Sequence, residues 1–76
     1  MIINNKETAK EVLLKLSNGE KVYLNWHEDS GALVYKLEYE WFVLFEIAQA
    51  DLHSRYTNTY HAKAINELIE EAFSWT

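Results

Sequence analysis

The sequence contains no cysteine and no proline, and glycine occurs only twice, at Gly19 and Gly31. Without cysteine, neither a disulfide framework nor a zinc–thiolate site can staple the fold, and a nucleophilic thiol is excluded as well. Stability has to come from packing. Basic residues are also scarce: seven Lys and Arg stand against twelve Asp and Glu, for a net charge of −5. Affinity for nucleic acid rests largely on Lys and Arg displacing counterions, so direct binding to nucleic acid or to an anionic membrane surface is disfavoured. A basic protein partner is the natural complement. No run approaches the roughly 18 apolar residues of a membrane span. The opening "MIINNKETAK" lacks the apolar core of a signal peptide, which points to a cytoplasmic address.

The acidity is unevenly placed. Residues 1 to 37 hold five lysines against Glu7, Glu11, Glu20, Glu28 and Asp29, and so balance. From Glu38 onward, Glu38, Glu40, Glu46, Asp51, Glu67, Glu70 and Glu71 face only Arg55 and Lys63, which places the whole net charge in the second half.

What is abundant is apolar and aromatic surface. Hydrophobic residues make up 49% of the 76 positions and aromatics 14%, too apolar for a disordered chain and sufficient for a single compact domain over residues 1–76. The stretch "EVLLKLSNGEKVYLNW" sets two apolar runs around Asn18-Gly19, which reads as a β-hairpin. A three-residue loop at Ser17–Gly19 puts Val12, Leu14, Leu16, Val22, Leu24 and Trp26 on one face and turns Leu13 and Tyr23 to the other. A competing helix places Ala9, Val12, Leu13 and Leu16 on one stripe, with Thr8 and Glu11 as a capping box and Gly19 as its terminator.

"HEDSG", residues 27–31, reads as a turn. From Leu33 to Ile47 every odd position is apolar, the period of a strand. Fifteen extended residues would span about 50 Å, longer than so small a domain, so the strand must bend or break near Glu38 to Glu40. A helix over 40–53 is the competing reading. The segment "TNTYHAKAINELIEEAFSWT" has the stripe Ala62, Ile65, Leu68, Ile69, Ala72, Phe73 of an amphipathic helix, with Asn58 or Thr59 as N-cap. The fold class expected is α+β: a small antiparallel β-meander of three or four strands packed on a C-terminal α-helix.

Motifs for chemistry are weak. His27, His53 and His61 lack the spacing that preorganises zinc, and Ser17, Ser30, Ser54 and Ser74 lack a nucleophile-elbow pattern. No cofactor is implied. A small metal-dependent enzyme using His27, Glu28 and Asp29 is a remote alternative.

The aromatic surplus points to a partner. Trp26, Trp41, Phe45 and Phe73 can fill the core, with Tyr35 and Val43 facing the helix, but alternation then sends Val34, Phe42 and Leu44 to the opposite face, joined by Tyr23. One helix cannot cover both sides of a sheet. Glu38, Glu40 and Glu46 edge that second face, so Tyr23, Val34, Phe42, Leu44, Glu38, Glu40 and Glu46 form the expected partner-binding site: an apolar centre with an acidic rim. Either another chain or the N-terminal Ile2 and Ile3 could cover it.

In size, acidity and lack of cysteine the chain resembles small phage-encoded inhibitors of host defence, including anti-CRISPR proteins and DNA mimics. That resemblance implies a small acidic, non-enzymatic protein-binding module, an inhibitor or adaptor seated on a basic partner. The alternative is a structural homo-oligomer paired through the same sheet face.

Overall fold

A computed structural model describes residues 1–49 and 52–75; Asp51, counted above among the acids, lies outside them. The chain runs β1 (Ile2–Ile3), α1 (Lys6–Lys15), β2 (Lys21–His27), β3 (Ser30–Leu37), β4 (Glu40–Gln49), β5 (Leu52–His61) and α2 (Ile65–Ser74), the last entered through a 3-10 turn at Ala62–Ala64. The α+β class is as expected, with five strands in place of three or four. The sheet is mixed, in the order β1-β2-β3-β4-β5: β2 to β5 form an antiparallel meander, and β1 lies parallel to β2.

The expected hairpin before Glu20 is instead a helix, α1. Asn5 caps it, its side chain accepting from the Thr8 N–H at 3.0 Å, three residues ahead of the expected cap. Ala9 and Leu13 are buried, Val12 and Leu16 pack at the edge of the core, and Leu14 points to solvent. Asn18-Gly19 still makes a turn, with Gly19 at φ +87 and the Glu20 N–H bonded to the Ser17 carbonyl, but the turn joins helix to strand. It also docks on the next hairpin. Asn18 Oδ1 takes the Glu38 N–H at 2.8 Å, and the Gly19 N–H bonds the Lys36 carbonyl at 2.9 Å.

The long alternating run does break where expected. Leu37 pairs with Glu40, leaving Glu38 and Tyr39 as a two-residue reversal with Glu38 at φ +48. This reversal shifts side-chain parity. Even-numbered residues of β3 and odd-numbered residues of β4 share a face, because Val34 pairs with Val43 and Ala32 with Phe45. Val34, expected on the outward face, is therefore buried toward the helices, and Tyr35, expected toward them, faces outward.

Both helices lie on that inner face. Ala9 and Leu13 of α1 and Ile65, Leu68, Ile69 and Ala72 of α2 close one cluster with Ile3, Val22, Leu24, Ala32, Val34, Trp41, Val43, Phe45 and Tyr60. Leu13, expected outside, is fully buried here. Lys6 and Glu70 tie the two helices at 3.1 Å. The final helix begins at Ile65 and not near Thr59, because residues 52–61 pair with β4 along their whole length. Tyr60 reaches from β5 to α2 and donates to Glu71 Oε2 at 2.5 Å; burial first, and this bond second, push its phenol well above its ordinary pKa.

Trp41 locks β4 to α1. Its Nε1–H donates to the Leu13 carbonyl at 3.0 Å, an oxygen that also accepts the Leu16 N–H at 3.3 Å where α1 ends, and the Lys36 ammonium sits 3.4 Å from its ring centroid. Replacing Trp41 by Phe keeps an aromatic ring but removes this tie between β4 and α1, leaving the carbonyl with the Leu16 N–H alone. Urea denaturation of Trp41→Phe is expected to show a loss of about 0.5–1.5 kcal/mol, the net worth of one hydrogen bond, whereas Trp26→Phe, outside the core, should lose less.

Candidate functional site

Two layers leave one sheet surface without helices. Alternation carries five rows across it. In the central row Ile2, Tyr23, Leu33, Leu44 and Thr57 stand side by side on successive strands. The adjacent row is Lys21, Tyr35, Phe42 and Thr59, with the Tyr35 and Phe42 rings 5.0 Å apart. Tyr23, Leu33, Tyr35, Phe42 and Leu44 are half-buried by one another, and Ile2 is 55% exposed. Among the described residues, no helix or loop lies over them. Of the two N-terminal isoleucines, Ile3 enters the helix-side core and Ile2 extends the open face at its edge, so neither covers it.

Trp26 joins this face through a bulge. The pairing shifts between Leu24 and His27, with Asn25 at φ +51, and the extra residue swings Trp26 out of the core where it was expected and against Tyr23, ring centroids 5.1 Å apart. Gly31 makes room for it. That glycine sits at φ +144, and a Cβ there would come within 2.7 Å of Trp26 Cα and 2.8 Å of the Asn25 carbonyl oxygen, both backbone atoms.

The rim differs from the acidic one expected. Glu46 is paired with Arg55 on β5 and flanked by His53: Arg55 Nε is 3.2 Å and His53 Nε2 2.5 Å from the same Glu46 oxygen, and the Glu46 side chain is only 13% exposed. At the other end, Glu40 faces His61 across the β4–β5 pair at 4.0 Å. Lys21 and Arg55 on this surface balance Glu40 and Glu46 in number, so the net charge of −5 belongs to the remaining residues. Glu38 is not on the rim at all. It occupies the β3–β4 reversal, with its backbone held by Asn18.

Of the seven expected residues, the fold brings together Tyr23, Phe42, Leu44, Glu40 and Glu46, buries Val34 on the other side and leaves Glu38 at a hairpin end. It adds Leu33, Tyr35, Trp26 and Ile2. The signal for Leu33 and Tyr35 was present in the expected break at Glu38–Glu40, since a two-residue reversal exchanges the parity that a smooth bend would keep. His27 bonds Asn25 Oδ1 at 3.2 Å, and among the described residues no group of three or more His, Asp and Glu side chains converges as a metal site would require. No helix among them is long and apolar enough to cross a membrane.

The seating of Trp26 depends on Gly31. Gly31→Ala must displace two backbone atoms while holding a left-handed φ, and a loss on the order of 2–3 kcal/mol is expected in thermal or urea unfolding. Gly19→Ala meets no atom within 4 Å and carries only the conformational term, so its loss should be the smaller of the two.

No protein-family model matches the chain, and neither a curated protein nor a solved structure matches it.

Proposed function

We propose that this protein is a small non-enzymatic protein-binding module that works through the open face of its sheet, and that the chain seated there is a second copy of itself. The observation that carries this reading is the combination of an apolar centre with a charge-balanced rim on a chain that is otherwise acidic. A foreign basic surface would be recognised by free carboxylates. Here Glu46 is already held by Arg55 and His53, and Glu40 faces His61. A second copy meets the opposite condition. A neutral face with one Lys, one Arg and two Glu can be turned by a two-fold axis so that opposite charges meet, while the repelling charge stays on the helix side.

The area is consistent with an interface of modest strength. Four strands of 7 to 10 residues, spaced about 4.8 Å apart and rising about 3.3 Å per residue, present roughly 500 Å² each. Two copies would bury roughly 1,000 Å², near the lower bound for a specific interface. Sheets stacked this way pack about 10 Å apart, a gap filled by interdigitated side chains of the Tyr35, Phe42 and Leu44 kind.

Analytical ultracentrifugation at micromolar concentration tests this reading. Phe42→Asp places a carboxylate beside the central row of the face and is expected to halve the number of copies in the assembly, with circular dichroism unchanged. Wild-type association should hold or strengthen as salt is raised, since apolar burial drives it. A particle size that ignores Phe42→Asp defeats the reading of self-association through the open face. Salt-sensitive capture of a basic partner, lost in the same variant, would favour the inhibitor or adaptor reading in its place.

A further inference from the structure

The sheet ends on one side in β5, a strand of ten residues, and on the other in β1, a strand of two. Natural sheets protect a free edge by keeping it short, by a bulge, by proline or by lysine. The β1 side has the first two protections, with the Asn25 bulge interrupting β2 beside it. β5 has none of them. Its pairing with β4 is one-to-one from His61 opposite Glu40 to Leu52 opposite Gln49, without a shift, and "LHSRYTNTYH" contains neither proline nor lysine.

The hydrogen-bonding phase of that edge can be read from one contact. The Thr59 N–H is bonded by the Asn58 side chain at 2.9 Å, so it points away from β4. In an antiparallel pair this orientation alternates. His53, Arg55, Thr57, Thr59 and His61 therefore turn their N–H and C=O groups to the free side, and among the described residues no other strand pairs there. Arg55, the one permanent charge on the strand, is already paired with Glu46.

We infer that β5 is a pairing edge, and that it takes the β5 of a second copy, antiparallel about a two-fold axis through Thr57. This register engages all five outward-turned residues once the Asn58 side chain releases the Thr59 N–H: Thr57 opposes its own equivalent, Arg55 opposes Thr59, and His53 opposes His61. No like permanent charges meet. The two five-stranded sheets become one, with their open faces continuous on the same side. This edge contact is separate from packing through the open face. The edge joins strands side by side, the face stacks sheets, and either can exist without the other.

Two sets of variants test the edge. Thr57→Pro removes an N–H that β4 does not use, which an edge strand tolerates, and blocks the central bonds of the joint. In the Phe42→Asp background, where face packing is removed, the chain is expected to remain a dimer by analytical ultracentrifugation and to become a monomer when Thr57→Pro is added. The absence of native cysteine permits a second readout free of folding effects. Thr57→Cys places two thiols on strands about 5.5 Å apart, within disulfide range, while Thr59→Cys leaves its thiols about 13 Å apart; mild oxidation should cross-link the first about tenfold faster or more. Equal cross-linking of the two variants overturns the inference, as does a Phe42→Asp protein that is monomeric at all concentrations, whether or not the edge then accepts a strand from another protein. If face packing is the reading that fails, Phe42→Asp leaves the wild-type particle size unchanged, and Thr57→Pro alone still reduces it.

Discussion

The pairing of Leu37 with Glu40 decides which side of the sheet each later residue faces. A reversal of two residues makes the sum of paired positions odd, so the odd-numbered Trp41, Val43 and Phe45 of β4 lie beside the even-numbered Ala32, Val34 and Lys36 of β3. From this one constraint follow the helix-side core, the bond from Trp41 to the end of α1, and the outward row of Leu33, Tyr35, Phe42 and Leu44. The reversal is held in an uncommon backbone conformation for a glutamate, φ +48, and Asn18 from the preceding turn holds its N–H. The Asn-Gly turn and the β3–β4 reversal thus form one joint at that end of the sheet.

Given that parity, the distribution of apolar side chains exceeds what two short helices can cover. The inner face receives Leu13, Leu68 and their neighbours, with Phe45, Leu24, Val34 and Val43 fully buried. The outer face receives aromatic and branched residues that shield one another without being covered. Charge follows the same division. On the outer face each acid has a basic neighbour or counterpart, whereas the helix side and the loops hold the net negative charge, which keeps the rest of the surface solvated and self-repelling. This division of apolar surface and charge supports the proposal that association runs through one face and one edge.

Much of this was legible in the sequence, and the failures have physical causes. The stripe Ile65, Leu68, Ile69 and Ala72 was readable because helical period and burial coincide. The outward direction of Phe42 and Leu44 was readable because alternation along β4 is unbroken. Glycine, normally the marker of tight reversals, pointed elsewhere. Of the two glycines, Gly19 serves the helix-to-strand turn and Gly31 makes room for Trp26, while the β2–β3 and β3–β4 reversals place glutamates, Glu28 and Glu38, at positive φ. The exchange of Val34 for Tyr35 follows from that. The pairing of the rim was hidden for a different reason. Arg55, His53 and His61 reach Glu46 and Glu40 only because β5 is a strand, and an edge strand with Thr, Arg and His at its outward positions lacks the apolar alternation by which strands are recognised.

The central claim is that the open face is covered by a second copy of the chain. Isotope-filtered nuclear Overhauser spectroscopy on a mixture of labelled and unlabelled protein reads that contact directly, since it reports only protons of different copies within about 5 Å. Intermolecular contacts from the Leu33 and Leu44 methyl groups to the Tyr35 and Phe42 rings are the expected result. Their absence in a sample that is demonstrably associated, or intermolecular contacts confined to the helix side at residues such as Leu14, would contradict it.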